Sequence, residues 1–326
     1  MSLSKMPGLK SWLGVLLLLA TPVPVLAQGA YPTKPVRLVV GFGPGSAADL
    51  TARVIGQRLT KTMGQQFVIE NKPGGGSTVA AEQVARAPKD GYTLFIGTAA
   101  NVINGVMQPN LPFDFAKDFA PITYTTSSPN ILVVHPSVGV SDVKGLIALL
   151  KQKPEQVFYG SSGVGTAPHL SGELLNMMAG TKMVHVPYSG SAQAVTDLLA
   201  GRIQVMFSPA STVLQHVASG QLKALASSEL TRASSAPDLP TVAESGLPGF
   251  DTSVWFGIVG PTGMPTDTID ALSRAINEAL KSDEVAKPLN AGGLDIKGGT
   301  PEAFGAYIAS ETRKWNDVVA AAGLRN

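Results

Sequence analysis

Two glycine-rich turns, each between an apolar run and a segment of helical period, are where this chain could do chemistry. Residues 41–46 read Gly-Phe-Gly-Pro-Gly-Ser, and residues 160–166 read Gly-Ser-Ser-Gly-Val-Gly-Thr about 120 positions later. The first amides of a helix have no carbonyl partner within it, and the positive end of the helix dipole favours an anion there. Gly43 and Gly45 around Pro44, and Gly163 and Gly165 in the second turn, let the main chain approach a ligand closely. Thr166 stands where an N-cap hydroxyl belongs, and His169 follows one turn into the helix. Two such turns facing each other make a cleft for a small carboxylate.

Other chemistries fit these residues less well. A dinucleotide fingerprint needs G-x-G-x-x-G, and Gly41 and Gly43 are followed by Ser46 at the third position. Gly160-Ser161-Ser162-Gly163 has the wrong spacing for the G-x-S-x-G nucleophile elbow. His135, His169, His185 and His216 sit in no catalytic motif and lack metal-ligand spacing, so neither a hydrolase nor a metal or other cofactor is expected. Asp49 in the first helical turn would repel an anion unless it folds back on the amide of Ser46 or water stands between; a capping role is expected for it. A hydrogen bond to a charged group contributes about 1.5–3 kcal/mol, and micromolar affinity needs about 8 kcal/mol. Four or five neutral donors therefore suffice without an arginine.

The elements that position these turns alternate in type, the pattern of an α/β fold with largely parallel sheets. Strands are expected at Val36 to Gly41, Phe67 to Glu70 and Thr93 to Gly97, with a helix from about Ala47 to Thr62 that buries Leu50, Val54, Ile55 and Leu59. Ser46 and Asp49 are placed to cap that helix. Further strands are expected at Ile131 to His135, Val157 to Gly160, Met183 to Pro187, Ile203 to Phe207 and Leu222 to Ala226, with helices from Ala167 to Met178 and from Ala192 to Ala200. After Pro237 come a loop, a strand at Ser253 to Gly260, and two helices marked by Ile269, Leu272, Ile276 and Leu280 and by Phe304, Ile308, Trp315, Val318 and Val319. If the Ser253 strand rejoins the first sheet, the chain crosses between lobes twice, near Ser127 to Asn130 and near Ser228 to Asp238.

The amino terminus reads as an export signal. Lys5 and Lys10 precede a short apolar stretch from Trp12 to Ala20, and Val25-Leu26-Ala27 offers a cleavage site near Ala27. A membrane anchor needs roughly 20 apolar residues, and Thr21, Pro22 and Pro24 break this run. Without residues 1–27 the chain holds 23 basic and 23 acidic side chains, which argues against nucleic acid or an anionic membrane as partner. The chain has no cysteine, which removes disulfides, thiolate catalysis and a lipid anchor.

Ordered blocks of sequence resemble the periplasmic receptors of the tripartite tricarboxylate transporters, also called Bug receptors, over the whole mature chain. They include Lys34-Pro35, Glu70-Asn71-Lys72-Pro73-Gly74-Gly75-Gly76, Pro88-Lys89-Asp90-Gly91-Tyr92-Thr93-Leu94 and Asp118-Phe119-Ala120-Pro121. They continue with residues 159–166, His169-Leu170-Ser171-Gly172-Glu173-Leu174, His185-Val186-Pro187-Tyr188, residues 240–246 and Trp255-Phe256-Gly257.

The resemblance implies a type II periplasmic binding fold: two Rossmann-like lobes joined by two crossover linkers, with a ligand cleft between them. Lobe 1 would comprise residues 28–127 and 229–326, and lobe 2 residues 128–228. It implies ligand carboxylates held by backbone amides, hydroxyls and bridging waters, and delivery by a monomeric receptor to a two-subunit inner-membrane permease. A sensory receptor acting on a membrane kinase would share this fold and ligand chemistry. Carried onto this chain, lobe 1 contacts come from Gly43, Pro44, Gly45, Ser46, Ala47, Ala48 and Asp49 and from the loop holding Thr98, Asn101 and Asn104. Lobe 2 contacts come from Ser161, Ser162, Gly163, Gly165 and Thr166, with His169, Tyr188 and Ser208 nearby. Three departures from the family pattern stand out. Gly43 and Ser46 alter the first turn, Ser189 stands where lysine is common, and Ser208 replaces an aspartate. Loss of that acid removes a partner for a ligand amine, so a non-amino carboxylate is expected: a di- or tricarboxylate, or an aromatic acid against Tyr188 and Trp255, unless Trp255 is core.

Overall fold

Val36, Leu38, Val39 and Val40 are fully buried and form strand β1 (Val36–Val40), which ends where the first glycine turn begins. Ser46 then starts α1 (Ala47–Met63), its hydroxyl accepting the Asp49 amide at 3.2 Å. Gly64 closes that helix with φ 73°, a left-handed conformation open to a residue without a β-carbon. The computed structural model describes residues 1–2, 31–188 and 190–324. The export signal and Ser189 therefore lie outside the described residues, positions 1 and 2 apart. No described helix is long and apolar enough to cross a membrane.

The chain continues through β2 (Phe67–Asn71), α2 (Thr78–Ala85), β3 (Thr93–Thr98), α3 (Ala99–Met107), the single turn α4 (Phe115–Asp118) and β4 (Phe119–Ser128). A second group follows: β5 (Asn130–Val134), α5 (Val143–Gln152), β6 (Phe158–Ser161), α6 (Ala167–Ala179) and β7 (Val184–Pro187). It ends with α7 (Ser191–Leu199), β8 (Val205–Pro209), α8 (Ala210–Ala218) and β9 (Lys223–Ser227). The last stretch holds β10 (Val254–Pro261), α9 (Thr266–Leu280), α10 (Asp283–Ala291), β11 (Asp295–Ile296) and α11 (Pro301–Ala321).

Two sheets result. One has the order β11-β4-β10-β3-β1-β2 and the other β7-β6-β8-β5-β9. β1 pairs in parallel with β2 and β3, and β6 with β7 and β8, as strand-helix-strand units require. The two strands that arrive from the opposite sheet, β5 and β10, run antiparallel to their neighbours. The reason is geometric: a chain crossing between lobes enters each sheet from the end at which the parallel strands finish. Accordingly Asn130, first residue of β5, pairs with Pro209, the last of β8, and Val254, first residue of β10, pairs with Ser128, the last of β4.

The crossings are laced together. The Asn130 amide donates to the Ser228 hydroxyl at 3.1 Å, while the Ser228 amide donates to the Asn130 carbonyl at 2.9 Å. One apolar cluster joins Phe95 and Trp255 of the first sheet to Leu132 and Phe207 of the second, through Trp315 and Val318 of α11. Val40, Ile55 and Ile258 belong to a separate cluster on the first sheet, and Val133, Leu198 and Met206 to one on the second.

Three sequence expectations change. Thr98 to Asn104 is the start of helix α3, because Thr98 has extended backbone and Asn101 Oδ1 accepts its amide at 2.9 Å. The segment after β10 holds three helices where two were expected; α10 is short and carries Pro288. β4 was not anticipated, since its Thr and Ser residues break the apolar signal and are buried through hydrogen bonds such as Thr125 Oγ1 to the Phe256 carbonyl, 2.8 Å.

Candidate functional site

A cavity of about 630 Å³ opens between the two sheets, where the ends of β3, β4 and β8 meet the beginnings of β5 and β10. Helix starts edge it: Ser46, Ala47 and Ala48 of α1, Thr98, Ala99 and Ala100 of α3, and Thr166, Ala167 and Pro168 of α6, with Pro209 ahead of α8. The early amides of these helices lack intrahelical acceptors, and each start carries roughly half a positive charge. No charged side chain lines the cavity among the described residues.

Each start is shaped by its own turn. In the first, Asp49 is buried and points back along the helix, where Oδ2 accepts the Gly45 amide at 2.9 Å and the Arg53 guanidinium at 2.9 Å. Its Oδ1 accepts Asn71 Nδ2 at 2.8 Å. Burial alone would raise its pKa, but the Arg53, Gly45 and Asn71 hydrogen bonds outweigh that and hold the carboxyl below its usual range. Asp49 thus caps the turn as expected, on the amide of Gly45 where that of Ser46 was anticipated. Its charge is spent on the protein, away from the cavity.

The second turn rests on a pair of imidazoles. His169 Nδ1 accepts the Gly165 amide at 3.0 Å, and His185 Nε2 lies 2.7 Å from the Ser161 hydroxyl. The two rings stack with centroids 3.9 Å apart. Burial, and for His169 also the neighbouring imidazole, push both pKa values down to about 4, so both are neutral at pH 7. Thr166 Oγ1 donates to the Gly163 carbonyl at 2.7 Å and makes no hydrogen bond to the helix amides. The hydroxyl braces the turn, whereas an N-cap bond had been anticipated.

Of the sequence-derived candidates, Ser46, Ala47, Thr98, Asn104, Ser162, Gly165 and Thr166 line the cavity. Pro44 and Gly45 are exposed in the first turn, beside the half-buried Gly43, and do not line the cavity. Asn101 and Ser161 are buried within their turns, and Gly163 lies against the Tyr188 carbonyl. Ser208 is buried inside β8, and the Tyr188 hydroxyl donates to Asp197 at 2.8 Å. Trp255 is core: fully buried, it donates its indole NH to Glu311 at 3.0 Å. The aromatic faces on the cavity are instead Phe42 and Phe256, joined by Ile103, Met107 and Val254. Their signal in the sequence was positional: Phe42 lies inside the first turn, and Phe256 next to the tryptophan that drew attention.

Two lobes of alternating strands and helices, a double crossing and a cavity at the strand ends define a periplasmic binding fold, the class of two-lobed solute receptors. The family model described as "Tripartite tricarboxylate transporter family receptor" matches residues 51–324, and this chain belongs to that family. It is 32% identical to Protein BugT of Bordetella pertussis over 98% of this chain and 99% of BugT. Among solved structures it resembles R. palustris Rpa4515 with adipate, with a TM-score of 0.72 and 36% identity over 90% of this chain and 98% of that one. It also resembles MatC from Rhodopseudomonas palustris with bound malate, with a TM-score of 0.69 and 29% identity over 89% and 100% of the two chains. The protein is therefore a periplasmic solute-binding receptor of a family that is not enzymatic; of the two solved structures, one holds adipate and the other malate.

Proposed function

We propose that this receptor is exported, loses its signal near Ala27, captures a non-amino organic carboxylate between its lobes, and delivers it as a monomer to a two-subunit permease. The observation that carries the reading is the convergence of the α1, α3 and α6 starts on one cavity that, among the described residues, no charged side chain lines. In this reading Ser46, Ala47, Thr98, Ser162, Gly165 and Thr166 face the ligand, and Asp49, His169 and Ser161 hold their turns. Residues 28–127 with 229–326 form one lobe and residues 128–228 the other. Ligand contact with both lobes requires a shut cleft, so binding favours closure by its differential affinity.

Native mass spectrometry of the purified protein, followed by calorimetry with the acid found, tests capture. A ligand-dependent rise in melting temperature without product formation is expected; turnover of the acid would overturn the receptor reading. Crosslinking in native membranes tests delivery, with recovery of permease subunits expected and recovery of a sensor kinase alone contradicting it.

A further inference from the structure

The cavity wall narrows the class of acid. We infer, on the reading that the cavity holds a carboxylate, that it takes acids with one or two carboxylates on an apolar body of four or more carbons, in preference to hydroxylated di- and tricarboxylates.

Charge is the first argument. The starts of α1, α3 and α6, with that of α8 at Pro209, offer roughly +2 in all, and among the described residues no lysine, arginine or histidine lines the cavity. That charge balances one or two carboxylates and leaves a third uncompensated.

Hydrogen bonding is the second. Ser46 Oγ accepts the Asp49 amide, Thr98 Oγ1 lies 3.2 Å from Asn101 Oδ1, and Thr166 Oγ1 donates to the Gly163 carbonyl. Asn104 Nδ2 donates to the Gly76 carbonyl at 2.9 Å, and Asn130 Nδ2 to the Thr252 carbonyl at 3.4 Å. The polar side chains of the wall are thus largely engaged by the protein itself; Ser162 and the exposed Gln108 remain. Away from these two and from the buried, unpartnered Asn130 Oδ1, a ligand hydroxyl finds no free side-chain partner, which weakens binding by about fivefold to a hundredfold.

Shape and apolar surface are the third. Phe42, Ile103, Met107, Val254 and Phe256 face the cavity, whose 630 Å³ is room for roughly twenty water-sized volumes. Each ligand methylene buried against such a wall raises affinity about fourfold.

Calorimetry on the mature chain with succinate, adipate, suberate, benzoate, malate and citrate tests this. Affinity is expected to rise at least tenfold from succinate to suberate, with malate and citrate at least tenfold weaker than adipate. Malate or citrate binding as tightly as adipate would overturn the inference while leaving the carboxylate reading in place. Failure of every acid to bind the folded protein would overturn both. Val254→Thr, close to isosteric, is expected to weaken suberate severalfold more than succinate at unchanged melting temperature. Equal effects on the two acids would count against the apolar wall.

Discussion

Met107 of α3 lies against Gly165 of the second glycine turn, so that a β-carbon built on Gly165 would sit 3.0 Å from the Met107 sulphur. One residue comes from each sheet's set of helices and turns, and both line the cavity. Elements of the two sheets therefore come close at this point on the wall, with room for glycine and not for a larger residue. Gly165 has φ 76° there, a left-handed backbone that costs a residue with a side chain about 1–2 kcal/mol.

Gly165→Ala is expected to lower the melting temperature by a few degrees and to weaken binding of adipate at least tenfold. Adding Met107→Ala should restore part of the binding while leaving the backbone penalty. Calorimetry and thermal melts on the two variants check this; unchanged affinity in Gly165→Ala would mean that the contact does not bear on binding.

The His169–His185 stack makes a pH prediction with a definite sign. Both imidazoles have pKa values lowered from 6.5 to about 4 by burial, helped for His169 by its partner ring. The unfolded chain takes up those protons first, so stability is full above about pH 6.5 and is lost as pH falls towards 4. Protonating His169 Nδ1 also removes the acceptor of the Gly165 amide. Ligand affinity should fall over the same window, as read by calorimetry at stepped pH. Glu173 Oε1 lies 3.9 Å from His169 Nε2 and accepts the Tyr159 hydroxyl.

Asp49→Ala should destabilise the protein by about 2–3 kcal/mol, because a buried carboxylate with charge-assisted hydrogen bonds is removed. The Gly45 amide, Asn71 and Arg53 all lose an acceptor. Since the Asp49 pKa is depressed, its contribution is present above the usual carboxylate range and is lost as pH falls below about 4. Urea unfolding at pH 7 and pH 3 measures both parts.

Glu311 accepts the indole NH groups of Trp255 and Trp315, each at 3.0 Å, and pairs with Lys314. It is buried, and burial raises its pKa against the pull of Lys314. Glu311→Ala leaves two indoles unpaired and Lys314 with only the Asp251 carbonyl as acceptor at the packing of α11, and is expected to cost about 3–5 kcal/mol with little change in ligand preference. Denaturant melts test the first part and calorimetry the second.

Thr166→Ala should weaken binding by roughly 1–3 kcal/mol while leaving the fold intact, through loss of the brace to the Gly163 carbonyl. Thr166→Ser, which keeps the hydroxyl, should bind nearly as the parent does. Equal loss in both variants would point to the methyl group instead.

Much of this was legible in the residues. The Ser46 cap, the amphipathic run of α1 and the fully buried β1 follow from local rules that tertiary contacts reinforce. What escaped the sequence depends on distant partners. β4 is a strand because β10 and β11 pair with it on either side, satisfying its threonines. The apolar wall of the cavity escaped too, because Phe256 and Val254 meet Ile103 and Met107 only after the chain has crossed between sheets twice. Backbone amides at helix starts leave no mark of their own in residue identity, and the glycines around them were the readable trace.

The central claim is that peptide nitrogens from both lobes hold one acid. Titration of ¹⁵N-labelled protein with adipate, followed through the amide resonances of Ala47, Ala48, Ala99, Ala100 and Ala167, tests it most directly. The account predicts that all five shift together and saturate with a single dissociation constant. Shifts confined to one lobe, or to residues away from the cavity, would contradict it.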